Sequence, residues 1–290
     1  MYKVFIYVNG EFVREKEAVI SPFDHGFLYG LGVFETIRVY KGHPFLIDDH
    51  LKRLNDALKD LNIEAHITRE NALKIINQLL KLNDLQNAYV RINVSAGESI
   101  LGLSVEPYEN PTEIFFMKGL SIPEGQTKKG ELLSIRRNSP EGLYRLKSHH
   151  YLNNILAKRE IGANQYMEGI FLTDEGFVAE GIVSNLFWVK DGKVYTPSIE
   201  TGILNGVTRQ YILTCLDLLR IPAFEGLYKK EELLESQEVF ITNSLQEIVP
   251  ITSIGSTRFV GQAGVITQQL KSLYRKHRTH LFSRHQLVSR

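Results

Sequence analysis

The hydrophobic period of the chain changes between two and three-and-a-half more than once, and this narrows the fold most. Lys3 to Val8 reads as a strand, and Asn9-Gly10 then supplies the left-handed backbone of a tight hairpin turn before Glu11 to Ile20 returns. Val33 to Tyr40 is a further strand, closed by Lys41-Gly42. The period then lengthens. Leu51, Leu54, Leu58 and Leu61 share one face of a helix from Asp49 to Asn62, with Asp48 as its cap. Leu73, Ile76 and Leu80 mark a second helix from Arg69 to Lys81, after Thr68. Ala88 to Ser95 and Glu113 to Met117 revert to strand.

Gly119 to Gly130 breaks the pattern with Pro123, Gly125 and two adjacent lysines, and reads as a linker. Beyond it the same grammar resumes without repeating the sequence. Helices are expected at Tyr151 to Gly162 and Val207 to Arg220. Strands are expected at Gly169 to Thr173, Asn185 to Val189, Glu238 to Thr242 and Glu247 to Thr252. The expected architecture is α+β in two subdomains. Residues 1–120 form an N-terminal subdomain, 121–130 a linker, 131–275 a C-terminal subdomain, and 276–290 a basic, solvated tail.

Charge and cysteine content remove several function classes. The formal net charge is +1, which gives no electrostatic case for binding nucleic acid or a membrane surface. No segment approaches the ~20 apolar residues of a membrane helix, and the N-terminus reads as a strand rather than a leader. One cysteine, Cys215, cannot form an internal disulfide and lies in an apolar helical stretch, so a core role in a cytoplasmic protein is expected. Gly30-Leu31-Gly32 runs into a strand and lacks the third glycine of a dinucleotide loop. Walker loops, His-Glu-x-x-His and Gly-x-Ser-x-Gly are absent. His149 and His150 are adjacent, so regular backbone turns them apart, and no metal site is expected.

Four separated segments remain. Asp49-His50-Leu51-Lys52-Arg53 puts an arginine in the first turns of an amphipathic helix. Arg145-Leu146-Lys147-Ser148 sets a lysine among apolar neighbours, where partial desolvation would make its amine nucleophilic. Glu180 precedes the very apolar Asn185-Leu186-Phe187-Trp188, and a carboxylate at such a strand end needs a cationic partner. Asn205-Gly206-Val207-Thr208-Arg209 opens a helix whose unpaired amides suit an anion.

In chain order these segments resemble the fold-type IV pyridoxal-phosphate family of branched-chain aminotransferases, D-amino-acid aminotransferases and aminodeoxychorismate lyases. The likeness runs from Val8 to Ile254. It implies a pyridoxal 5'-phosphate enzyme in which Lys147 bonds the cofactor covalently and later serves as base. It also implies that Glu180 meets the pyridine nitrogen, and that Arg53, Val207, Thr208 and Ser244 meet the phosphate. Tyr151 lies near the family tyrosine that faces the ring hydroxyl, though the spacing from the lysine varies by one among branches. A small-molecule substrate and a homodimer are implied as well.

Within the family, Phe34-Glu35-Thr36, Trp188 and Leu204-Asn205-Gly206 resemble the aminodeoxychorismate lyase branch, with Thr36 assisting the base and Phe34 facing substrate. Ala96 stands where the D-amino-acid branch carries an arginine. Arg91 resembles a substrate-binding arginine of the branched-chain aminotransferases, which keeps that activity as the alternative. A binding module that has lost its chemistry is opposed by the intact Lys147 and Glu180.

Overall fold

The computed structural model describes residues 4–121 and 125–287. Lys3, residues 122–124 and residues 288–290, which the sequence assigns to a strand, the linker and the tail, lie outside the described residues. The chain forms two compact units. One holds Met1–Ile122, Leu146–His150 and Arg278–Ser283, the other Pro123–Arg145, Tyr151–His277 and Arg284–Arg290.

In the first unit β1 (Phe5–Val8) and β2 (Glu11–Arg14) make the expected hairpin around Asn9 and Gly10, both at positive φ. A short helix α1 (His25–Tyr29) follows, capped by the Asp24 carboxylate on Gly26 N at 2.7 Å. Then come β3 (Gly32–Tyr40), β4 (His43–Pro44), α2 (Ile47–Asp60), α3 (Arg69–Leu82), β5 (Ala88–Ser95) and β6 (Thr112–Gly119). The strands form one antiparallel sheet, ordered β2-β1-β6-β5-β3-β4.

The period-two alternation of β3 and β5 decides which residues face the helices. Val33, Ile37 and Val39 join Val90, Ile92 and Val94 in a core filled by Leu51, Leu54, Leu58, Ile76 and Leu79 of α2 and α3. Phe34 and Thr36 therefore leave the other face of β3, opposite Asn93 and Arg91 of β5 in the strand register.

α3 starts after Thr68 as expected, and Thr68 caps it by accepting from Asn71 N at 3.2 Å. Asp48 does not cap α2. The cap position is Leu46, in left-handed backbone and without a side-chain bond, while Asp48 sits inside the helix and accepts from Arg69 Nη1 at 2.9 Å.

The second unit opens with β7 (Lys128–Leu132), so part of the expected linker is a strand. It continues through α4 (Leu152–Ile161), β8 (Met167–Leu172), β9 (Val178–Gly181), β10 (Asn185–Lys190), β11 (Lys193–Pro197), α5 (Val207–Leu218), β12 (Ala223–Gly226), α6 (Lys230–Leu234), β13 (Glu238–Asn243), β14 (Glu247–Ile254), β15 (Thr257–Arg258) and α7 (Val265–His277). The mixed sheet is ordered β12-β11-β10-β13-β14-β7-β8-β9, with β15 on β14. Trp188 is a core residue here, packed edge-on against Tyr228. Cys215 is buried, and burial pushes its thiol up to about 12.

Two stretches group differently from the sequence division. Leu146–His150 belongs with the first unit rather than with residues 131–275. It pairs with the free edge of β3: Phe34 N donates to Lys147 O at 2.9 Å and His149 N to Gly32 O at 3.0 Å. The expected tail is also packed. Leu281 is buried, its carbonyl accepts from Leu46 N at 3.1 Å, and Phe282 lies against the first unit's core. Isolated apolar residues in a basic run carry no period, so their burial is invisible to pattern reading. No helix among the described residues is long and apolar enough to cross a membrane.

Candidate active site

The lysine segment is short and irregular, and its place on the edge of β3 directs Lys147 onto the polar face of the sheet. The Lys147 amine lies 4.5 Å from the centroid of the Phe34 ring. The Arg91 guanidinium carbon lies 3.6 Å from the same centroid. Thr36 stands beside both, two residues from Phe34 on one strand and paired with Arg91 on the next. Four residues singled out from the sequence thus share one patch: Lys147, Phe34, Thr36 and Arg91.

His149 and Asn93 join this patch, although no motif marks either as a site residue. His149 Nε2 is 3.0 Å from Asn93 Oδ1, and its ring stacks over Phe34 at 6.3 Å. Burial, then the neighbouring Arg91 cation, pull the His149 imidazole down to about 4. It is neutral at physiological pH. His150 turns away and approaches Tyr29 O at 3.2 Å. The glycines of Gly30-Leu31-Gly32 make room for these two rings: a Cβ on Gly32 would sit 2.4 Å from His149 Cε1, and one on Gly30 would sit 2.8 Å from His150 Cδ2.

Arg53 is held from the core face of the same sheet. Its Nε and Nη2 donate to the two Glu35 oxygens at 2.6 and 2.8 Å, and His50 Nδ1 lies 2.6 Å from Glu35 Oε2. Burial would raise the Glu35 carboxyl, but Arg53 and His50 outweigh it and hold the group well below the usual carboxylate range. The arginine keeps 20% of its side chain exposed.

In the second unit Glu180, at the end of β9, is buried and finds the cation its position requires. Arg137 Nε donates to Oε1 at 2.9 Å. Asn185 Nδ2 and Leu204 N donate to Oε2 at 3.3 and 3.1 Å. Arg137 is anchored in turn on Asn153 Oδ1 at 2.7 Å. Asn185 Nδ2 also bonds Leu204 O at 2.8 Å, which ties the carboxylate to the loop entering α5. Gly206 is required in that loop, since a Cβ there would fall 2.1 Å from Asn185 Oδ1.

Gly206 caps α5 without a side-chain bond, which leaves the first amides, Val207 and Thr208, to an outside acceptor. Tyr151 caps α4, two residues before Asn153. Ser244 sits in the turn from β13 to β14, where Asn243 Oδ1 accepts from Leu245 N and Gln246 N at 3.0 and 2.8 Å.

Pyridoxal phosphate fits the groups that each unit supplies. An ionised carboxylate accepts about four hydrogen bonds, and Glu180 receives three, which leaves capacity for a pyridinium N–H. The Thr242 hydroxyl is buried with no hydrogen-bond partner among the described residues, and it stands across from Asn185 in the β10–β13 register. The uncapped start of α5 suits a phosphate, and in the first unit Lys147 is a primary amine of the kind a pyridoxal aldehyde bonds. Among the described residues, no group of three or more His, Cys, Asp or Glu is arranged to hold a metal.

Similarity to known proteins agrees with these parts. The aminodeoxychorismate lyase of Bacillus subtilis (strain 168) is 52% identical over 275 residues, covering 93% of this chain and 94% of its own. The D-alanine aminotransferase of Staphylococcus epidermidis is 32% identical over 280 residues, covering 96% and 98%. The crystal structure of the Escherichia coli branched-chain amino acid aminotransferase superposes with a TM-score of 0.86 at 27% identity, covering 96% and 95%. Residues 32–254, which hold the lysine patch, the Glu180 network and the start of α5, match the amino-transferase class IV family, and the chain belongs to it.

Proposed function

We propose that this chain is a pyridoxal-phosphate-dependent lyase that converts 4-amino-4-deoxychorismate into 4-aminobenzoate and pyruvate, a step of folate biosynthesis. The observation that carries this reading is the 52% identity to the Bacillus subtilis aminodeoxychorismate lyase across nearly the whole of both chains. The lysine patch supports it, because a base and a cation share one aromatic ring.

Pyridoxal phosphate supplies an electron sink conjugated to the amine-bearing carbon of the substrate. Lys147 would hold the cofactor, and its Nζ would take the proton from that carbon. The C–O bond of the neighbouring enolpyruvyl ether then breaks, its oxygen keeps the electron pair, and the enolate takes up a proton to become pyruvate. The ring left behind is aromatic. Thr36 assists Lys147 from the adjacent strand position. Arg91 meets a substrate carboxylate, and Phe34 supports both cation and amine. Glu180, locked by Arg137, Asn185 and Leu204 N, keeps a charge beside the pyridine nitrogen. Arg53, Val207, Thr208 and Ser244 would hold the phosphate, and Tyr151 would serve the ring hydroxyl.

With aminodeoxychorismate alone, the purified holoenzyme should release pyruvate and 4-aminobenzoate in equal amounts and need no keto acid. Transamination of leucine with 2-oxoglutarate and no 4-aminobenzoate would instead establish a branched-chain aminotransferase, the alternative to which the Escherichia coli fold match and Arg91 point.

The protein works as a homodimer in the cytoplasm. A loop pinned to α1 supports the dimer. His25 Nε2 lies 2.8 Å from Ile100 O and Gly102 N donates to Tyr29 OH at 3.0 Å, yet Ile100, Leu103 and Val105 are 80%, 90% and 91% exposed. Contiguous exposed apolar side chains on pinned backbone suit a protein partner. The single buried cysteine suits a reducing compartment.

A further inference from the structure

Asn93 follows Arg91 by two residues on β5, so both side chains leave one face of the sheet. Its Oδ1 takes hydrogens from Arg91 Nε and Nη2 at 3.3 and 3.2 Å. A guanidinium only donates, so the amide presents its oxygen there, and His149 Nε2 must donate to that same oxygen. One amide oxygen therefore gathers an arginine edge and an imidazole.

The second restraint on Arg91 is Phe34. A guanidinium carbon 3.6 Å from a ring centroid must lie face to face with the ring, because an edge-on approach would drive a nitrogen into it. Arg91 is thus fixed in plane and in rotation. Its Nε edge is spent on Asn93. The Nη1 end has no carboxylate partner among the described residues.

We infer that Asn93 and His149 are positioning residues that set the Arg91 guanidinium parallel to Phe34 and aim its outer edge at the carboxylate of a flat, conjugated acid. A carboxylate paired to that edge is coplanar with the guanidinium, hence parallel to Phe34. A conjugated ring acid, whose carboxylate shares the plane of its ring, satisfies this without twisting. An Arg91 free to swing would still attract anions but would not select that plane. His149 cannot be moved out of the arrangement cheaply, since Gly32 gives up its side chain to accommodate the ring. The inference rests on Arg91 meeting the substrate carboxylate.

The test compares dissociation constants of the holoenzyme for 4-aminobenzoate and 4-aminobenzamide, which differ only at the acid. Asn93→Ala and His149→Ala should weaken 4-aminobenzoate about tenfold and leave 4-aminobenzamide within about twofold. His149→Gln, which restores a side-chain N–H, should recover most of the loss. Cofactor absorbance and melting temperature identify any variant that has merely misfolded, and Asn93→Ser then supplies a milder substitution at the same bond. Equal weakening of both ligands, no weakening of either, or no recovery in His149→Gln would overturn the inference. Arg91→Ala separates it from the reading beneath: if that variant binds 4-aminobenzoate as the parent does, the carboxylate assignment itself fails.

Discussion

The Lys147 amine faces an aromatic ring that it shares with Arg91, and the segment that carries it is half-buried. Lys147→Ala should lose the lysine-linked cofactor absorbance and at least about a thousandfold in turnover. Borohydride reduction and peptide mapping that place the cofactor on another lysine would reassign the site. His149 makes a different prediction. Its folded value, about 4, lies below the ordinary 6.5, so the unfolded chain binds the extra proton between those values. Its contribution is complete above about 6.5 and is lost as pH falls toward 4, amounting to at most about 3 kcal/mol. Denaturant titrations should show a shallower acid loss of stability for His149→Gln than for the parent; identical slopes would remove the histidine from the account. No sequence rule selects His149, because burial, the first cause of its depression, and Arg91, the next, are both set by the fold rather than by the surrounding residues.

At the scale of the element, β3 uses both faces. Phe34 and Thr36 serve the lysine patch, while Glu35 points into the core and holds Arg53 and His50 of α2. The strand's alternation was legible from its residue types. The buried carboxylate within it was not explained by them, since its partners lie on the next helix. A buried ion pair that loses one charge leaves the other uncompensated. Glu35→Gln should therefore cost about 3 kcal/mol in denaturant titration and speed cofactor release, because Arg53 loses its bidentate anchor. Parent-like cofactor retention in a destabilised Glu35→Gln protein would make the cluster a packing device alone. The start of α5 was readable for the opposite reason: Gly206, Val207 and Thr208 are consecutive, and an uncapped helix start is a local property.

For the whole molecule, the exposed run at Ile100, Leu103 and Val105 predicts that Leu103→Asp combined with Val105→Asp converts a dimer into a monomer by light scattering. A parent protein that is monomeric and fully active at assay concentration would overturn the dimer. The sequence by itself determined the α+β alternation, the main helices and strands, and the order of four segments that carries the family resemblance. Each depends on neighbours within a few residues, where periodicity and turn chemistry operate. Tertiary structure alone decided that Lys147 joins the edge of β3, that the C-terminal run is packed through Leu281 and Phe282, and that Arg137 partners Glu180. Those contacts join residues tens to hundreds of positions apart, and the free energy that fixes them, from buried apolar area and paired buried charge, depends on the assembled core rather than on any local pattern.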